Sequence, residues 1–137
     1  KNMGSDILLE SVNEIEEGSY TLTEQDDSDA TPAPKLFTED CKVDFNKPAQ
    51  EIHNKIRGLS PFPTAWAELD DLKFNMYRSR IGSTSRLKPG EIGLHEDEMM
   101  VGTQDRDLIL EEVQIQGKRR MSGKDFMNGY SGTGIIH

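Results

Sequence analysis

Two stretches of this chain concentrate positive charge without a single acid. Residues 72–90 contain Lys73, Arg78, Arg80, Arg86 and Lys88, and residues 113–124 contain Lys118, Arg119, Arg120 and Lys124. Grouped lysine and arginine neutralise phosphates and release the counterions condensed on a nucleic acid, which gives salt-dependent affinity with little dependence on base sequence. Aromatic side chains able to stack on bases are sparse there: only Phe74 and Tyr77 occur. Ordinary solubilising charge is the competing reading of the same spacing.

Other chemistry has weaker support. Cys41 is the only cysteine, so no internal disulfide can form. No cysteine-protease signature surrounds it, and it reads as a small buried side chain. Zinc needs closely spaced Cys and His ligands, whereas His53, His95 and His137 are scattered. The acids Glu96, Asp97 and Glu98 follow a turn-like Leu-His pair and read as a solvated loop. Gly132-Thr133-Gly134 lacks the following helix that a phosphate-cradling loop requires. No catalytic, cofactor-binding or metal-binding residue is assigned.

Positioning the basic residues is the task of the elements around them. From Thr64 onward the chain reads as five strand-like runs broken by turns: "TAWAEL", "LKFNMYRSRI", "GEIGLH", "EMMVGT" and "DLILEEVQIQ". Five strands without intervening helices predict a mainly β fold with flanking helices, a small OB-like antiparallel barrel preceded by a helical arm. Barrels of this type are often used to bind nucleic acid. Strict alternation in the second strand puts Arg78 and Arg80 on the side of Leu72, Phe74 and Met76. Either that strand bulges or the arginines lie beyond the end of the core.

Ahead of the strands, "FNKPAQEIHNKIRG" predicts a helix with Asn46 as its capping acceptor, Pro48 in the first turn and Gly58 as a left-handed stop. Ala49, Ile52, Ile56 and Leu59 share its apolar face, with His53 and Lys55 toward solvent. Pro61 and Pro63 then form a stiff corner, from which Phe62 and Trp66 are expected to cover the junction between helix and barrel. Near the end, Ser122 stands three residues before Asp125, the spacing that opens a short capped helix. The closing "YSGTGIIH" is too rich in glycine to assign.

The first segment, "SDILLESVNEIEEG", carries Ile7, Leu8, Val12 and Ile15 at helical spacing, with Ser5 or Asp6 as start and Gly18 as stop. Residues 20–34 that follow are acidic, rich in Pro, Ala, Ser and Thr, and read as a linker. An amphipathic helix with nothing nearby to cover suggests the last helix of a preceding domain. The 137 residues suit one compact domain plus appendages, and the formal charge of −9 gives no global nucleic-acid signature. Acid is concentrated early, with 13 acidic against 6 basic residues up to position 58 and 12 against 10 after it. No apolar run suits a membrane span, no signal-peptide pattern opens the chain, and the single cysteine fits a reducing cytoplasm. The first residue is lysine, as expected of a processed or cut chain.

Taken together, "PAPKLFTEDCKVDFNKPAQEIHNKIRGLSPFPTAWAEL", "LKFNMYRSR", "PGEI" and "LEEVQIQGKRRMSGKDFMNG" resemble the carboxy-terminal domain of the methionyl-tRNA formyltransferase family, from about Pro32 to Gly129. An "APKL" opening, Asp44-Phe45 where the family usually has tryptophan second, a Pro-aromatic-Pro corner and the Gly117 to Met121 run carry the likeness. The resemblance implies that residues 1–33 are the last helix of a missing catalytic domain plus a linker. It implies that residues 34–137 are the OB-like tRNA-binding barrel. The intact protein is then expected to move a formyl group from 10-formyltetrahydrofolate to the amino group of initiator methionyl-tRNA. The folate and the family's catalytic asparagine, histidine and aspartate belong to the amino-terminal domain, and this piece alone is expected to be inactive. The tRNA-binding set implied is Lys73, Arg78, Arg80, Arg86, Lys88, Lys118, Arg119 and Arg120. The alternative is the barrel of a sugar-nucleotide formyltransferase or folate formyl-hydrolase, a docking scaffold without nucleic acid.

Overall fold

A computed structural model describes residues 2–137, which divide between Pro34 and Lys35 into two compact units. The first contains helix α1, Asn2–Glu17, and a 3-10 turn, Asp27–Asp29, capped by the Asp26 carboxylate. The helix starts earlier than its Ser5 or Asp6 signal predicts and stops where predicted, at Gly18 with φ +68. Met3, Ile7, Leu8, Leu9, Val12 and Ile15 are all exposed.

The second unit is mainly antiparallel sheet with two helices. A 3-10 turn, Glu39–Cys41, leads to α2, Ala49–Leu59, followed by β1 (Ala65–Leu69), β2 (Leu72–Ile81), β3 (Ile92–His95), β4 (Glu98–Val101), β5 (Leu108–Ile115), β6 (Met121–Ser122) and α3 (Gly123–Asn128). The strand order is β1-β2-β5-β4-β3, with β6 added to β5. β6 is a strand that the sequence pattern did not predict; two residues are too few for a periodic signal. The tail also has a role its glycines conceal: Ile136 bridges Leu69 at the end of β1, and Ile135 bridges Glu91 just before β3. Ile136 is buried, so the last residues touch both edges of the sheet and plug the core.

Helix α2 buries the predicted face, Ala49, Ile52, Ile56 and Leu59, and packs on β2 and β1. Its caps differ from the prediction. Asn46 donates its backbone and side-chain N–H groups to Asp44, so the free Ala49 N–H is taken by the distant Asp105 carboxylate at 2.8 Å. Gly58 remains inside the helix, which runs on to Leu59. His53 is also not turned fully to solvent, because its Nδ1 meets the Ser79 hydroxyl at 3.0 Å. In the proline corner Phe62 stands out in solvent instead of covering the junction, while Trp66 packs partly against the core. Ser122 caps α3 as predicted, its Oγ accepting the Asp125 N–H.

Phe74, Met76, Leu108, Leu110 and Val113 from β2 and β5 meet Ile52 and Ile56 of α2 in the core, and Phe126 closes edge-on against Phe74 at 5.1 Å. Cys41 is buried among these residues.

Candidate nucleic-acid interface

The β5–β6 connection is a tight turn. Lys118 N–H donates to Ile115 O, and Gly117 sits at φ +80, a value that type II turns require at their third position and that glycine adopts without steric cost. Gln114 fixes the turn from the strand: its Nε2 donates to Lys118 O at 2.8 Å, and its Oε1 accepts the Tyr77 hydroxyl at 2.7 Å. The Arg120 guanidinium lies 3.5 Å from the centre of the Tyr77 ring and 3.6 Å from Glu112. Lys118 and Arg119 are exposed, and among the described residues neither has a carboxylate within ion-pair distance.

Lys73 adjoins this turn, because its backbone N–H and C=O both bond to Gln116. Its ammonium lies 5.0 Å above the Trp66 ring, and that of Lys42 lies 5.3 Å from it. The indole N–H donates to Thr38 O, which fixes the ring.

Arg78 and Arg80 are placed differently. β2 shifts register between Met76 and Ser79, so Met76 and Tyr77 are both buried and the two arginines emerge on the outside. The bulge, not the end of the core, resolves the alternation. Both arginines are already bound by acids: Arg78 reaches Glu111 of the adjacent β5 at 3.5 Å, and Arg80 pairs with Glu111 at 3.7 Å and with Glu98 of β4, one strand further on.

Arg86 and Lys88 belong to a third place, the loop before β3. Asp107, wholly buried, organises that loop by accepting the Thr84 hydroxyl and the backbone N–H groups of Arg86 and Leu87. Arg86 then reaches His95 Nε2 at 2.7 Å, and Lys88 stays exposed. Nothing local in the sequence singles out Asp107, since its partners lie about 20 residues away. The eight predicted residues thus form a turn group with Lys73, an acid-bound row and a separate loop pair.

The remaining polar groups serve structure. Glu96 and Asp97 make the β3–β4 turn with φ of 50 and 66, and Asp97 pairs with Lys124 at 2.7 Å. One cleft of about 430 Å³ brings together Asp44, Asn46 and His137. The Asn46 N–H groups hold the Asp44 carboxyl below the usual carboxylate range, so near neutral pH it is an anion without a proton to donate. Among the described residues no group of three or more His, Cys, Asp or Glu side chains is arranged to hold a metal ion.

Comparison with known proteins adds a family likeness. The model of the formyl transferase C-terminal domain matches residues 35–131. Methionyl-tRNA formyltransferase of Corynebacterium diphtheriae is 34% identical over 130 residues, covering 95% of this chain and 42% of that protein. Its counterpart in Koribacter versatilis is 35% identical over 129 residues, 93% of this chain and 41% of the relative. The chain therefore spans about two fifths of the length of the curated relatives it matches. Among solved structures, HypX from Aquifex aeolicus in complex with tetrahydrofolic acid aligns with a TM-score of 0.65 at 17% identity, over 96% of this chain and 26% of that one. At that identity the likeness concerns the fold.

Proposed function

This chain belongs to the formyl transferase C-terminal domain family, and from that premise we propose that it is the tRNA-holding part of a methionyl-tRNA formyltransferase. In this reading the whole enzyme transfers a formyl group from 10-formyltetrahydrofolate to the amino group of initiator methionyl-tRNA. The folate and the catalytic groups lie in an amino-terminal catalytic domain outside this chain. Residues 1–33 are the last helix of that domain plus a linker, and residues 34–137 are the barrel. The exposed apolar stripe of α1 supports this, because Ile7, Leu8, Val12 and Ile15 need a surface to cover. Initiator tRNA makes this a cytoplasmic role, and no helix among the described residues is long and apolar enough to cross a membrane.

The observation that carries tRNA binding is the β5–β6 turn. Among the described residues Lys118 and Arg119 have no acid partner on a hydrogen-bonded turn, with Arg120 stacked beside them on Tyr77. Lys118 and Arg119 present charge to phosphates without first breaking an internal ion pair, whereas Arg120 also pairs with Glu112. Lys73, Arg86 and Lys88 are secondary contributors, and Arg78 and Arg80 the weakest. The net charge of −9 makes binding by this piece alone feeble.

Titration into labelled initiator tRNA, followed by fluorescence anisotropy at several salt concentrations, tests the reading. Binding should weaken steeply with salt, and the Lys118→Ala/Arg119→Ala/Arg120→Ala variant should bind less and show a flatter salt slope. An unchanged slope in the variant would sink the assignment. The ion pairs of Arg78 and Arg80 favour a second reading, a docking scaffold of the sugar-nucleotide or folate-hydrolase type. No binding even at low salt would select it.

A further inference from the structure

An apolar, exposed cleft of the second unit lies beside Lys73. This cleft of about 450 Å³ is lined by Leu36, Phe37, Phe62, Pro63, Trp66 and Lys73, within the roughly 300–1,000 Å³ typical of small-molecule sites. Three of these side chains spend their apolar surface on solvent: Phe62 is 87% exposed, Phe37 61% and Leu36 54%. Burial in the core would have been favourable for each, so their exposure needs a reason.

Charge narrows the class of occupant. The Lys35 ammonium lies 5.3 Å from the Phe37 ring, and Lys73 and Lys42 lie over Trp66. Lys42 is paired with Glu68, whereas among the described residues Lys35 and Lys73 have no carboxylate partner. An apolar peptide laid in this cleft would strip water from two ammonium groups without supplying acids, at a cost its apolar contacts would have to offset. A ligand with a flat apolar face and an anionic edge avoids that cost. Unpaired nucleotides are such a ligand: bases stack on aromatic rings and phosphates meet the flanking cations. Bases inside a duplex are already stacked on one another and present no free face.

We propose that the Phe37–Phe62–Trp66 cleft binds an unpaired segment of RNA, its bases stacked on the exposed rings and its phosphates against Lys35 and Lys73. The inference rests on the tRNA reading and deepens it, because Lys73 joins the cleft to the turn that carries Lys118 through its two bonds to Gln116.

Trp66 is the only tryptophan, so the emission of the whole chain reports on this cleft. A short single-stranded oligoadenylate should quench it saturably, and an RNA duplex should not. Phe37→Ala/Phe62→Ala, two changes at exposed positions that leave the core intact, should raise the dissociation constant roughly tenfold, as loss of base stacking does elsewhere. Absence of quenching, or equal quenching of parent and variant, overturns the proposal. So does self-association seen by sedimentation and lost in the variant without any response to oligoadenylate, which would make the cleft a contact between copies. If initiator tRNA binds through Lys118 to Arg120 while oligoadenylate leaves Trp66 unchanged, only the cleft assignment falls. If neither RNA binds, the tRNA reading falls with it.

Discussion

The arginine row of β2 and the β5–β6 turn carry the same kind of charge on the same sheet, yet only one of them is available. Arg78 and Arg80 are held by Glu111 of β5 and Glu98 of β4. Lys118 and Arg119 project from a turn with no strand beside them to supply an acid. A cation within a sheet meets acids on the strands alongside it, and a cation at a hairpin tip meets solvent. The difference teaches that a basic run in sequence is not yet a phosphate site.

The largest effect comes from removing the frame both regions share. Phe74 is wholly buried between β5 and Phe126. Phe74→Ala should cost about 3–5 kcal/mol in urea unfolding and weaken tRNA binding through both regions at once. A loss confined to one region would show that turn and row are held independently.

Next, the two regions can be set directly against each other. The triple alanine variant of Lys118, Arg119 and Arg120 should lower the slope of log affinity against log salt by about two units. Arg78→Ala/Arg80→Ala should change it by much less, and should cost under about 1 kcal/mol of stability because the pairs are exposed. Equal slopes for the two variants would erase the contrast. Glu111→Gln sharpens it from the other side: by releasing Arg78 and loosening Arg80 it should tighten tRNA binding about twofold at low salt. No gain in anisotropy titrations would mean that the acids do not withhold the arginines.

A smaller effect comes from an acid that holds backbone as well as a cation. The Ala49 N–H, helped by Arg106 and Thr103, keeps the Asp105 carboxyl below the usual carboxylate range. Because the folded value is the lower one, this contribution is complete above the ordinary carboxylate value of about 3.9 and is lost as pH falls through the depressed value. Asp105→Asn should lower Tm by a few degrees near neutral pH, with parent and variant converging in acid.

Much of this was legible beforehand, and the exceptions share a cause. The apolar stripe of α2, five of the six strands and the Ser122 cap follow from spacings of two to four residues. The conflict in alternation around Arg78 leaves a bulge or an early end of the core as the two possibilities, and the register shifts of β2 select the bulge. Asn46 and Gly58 carried proper local signals and were overruled: Asp44 captured Asn46, Asp105 capped the helix across 56 residues, and α2 ran past Gly58 to bury Leu59. Phe62 is expected to cover the junction because aromatic residues usually bury, and it stands in solvent instead. The closing residues gave no periodic signal, and Ile136 entered the core only because both edges of the sheet left room for a plug.

The sequence by itself determined most of the elements, the order in which they occur and the family likeness, because helix periodicity, strand alternation and turn residues act within a few positions along the chain. Tertiary structure decided which cations are free. Glu98 lies 18 residues from Arg80, and only the pairing of β2 with β5, and of β5 with β4, brings Glu111 and Glu98 to the arginines while leaving Lys118 and Arg119 at a tip. Ion pairing falls off over a few ångströms, and proximity on that scale is a property of strand order, not of distance along the sequence.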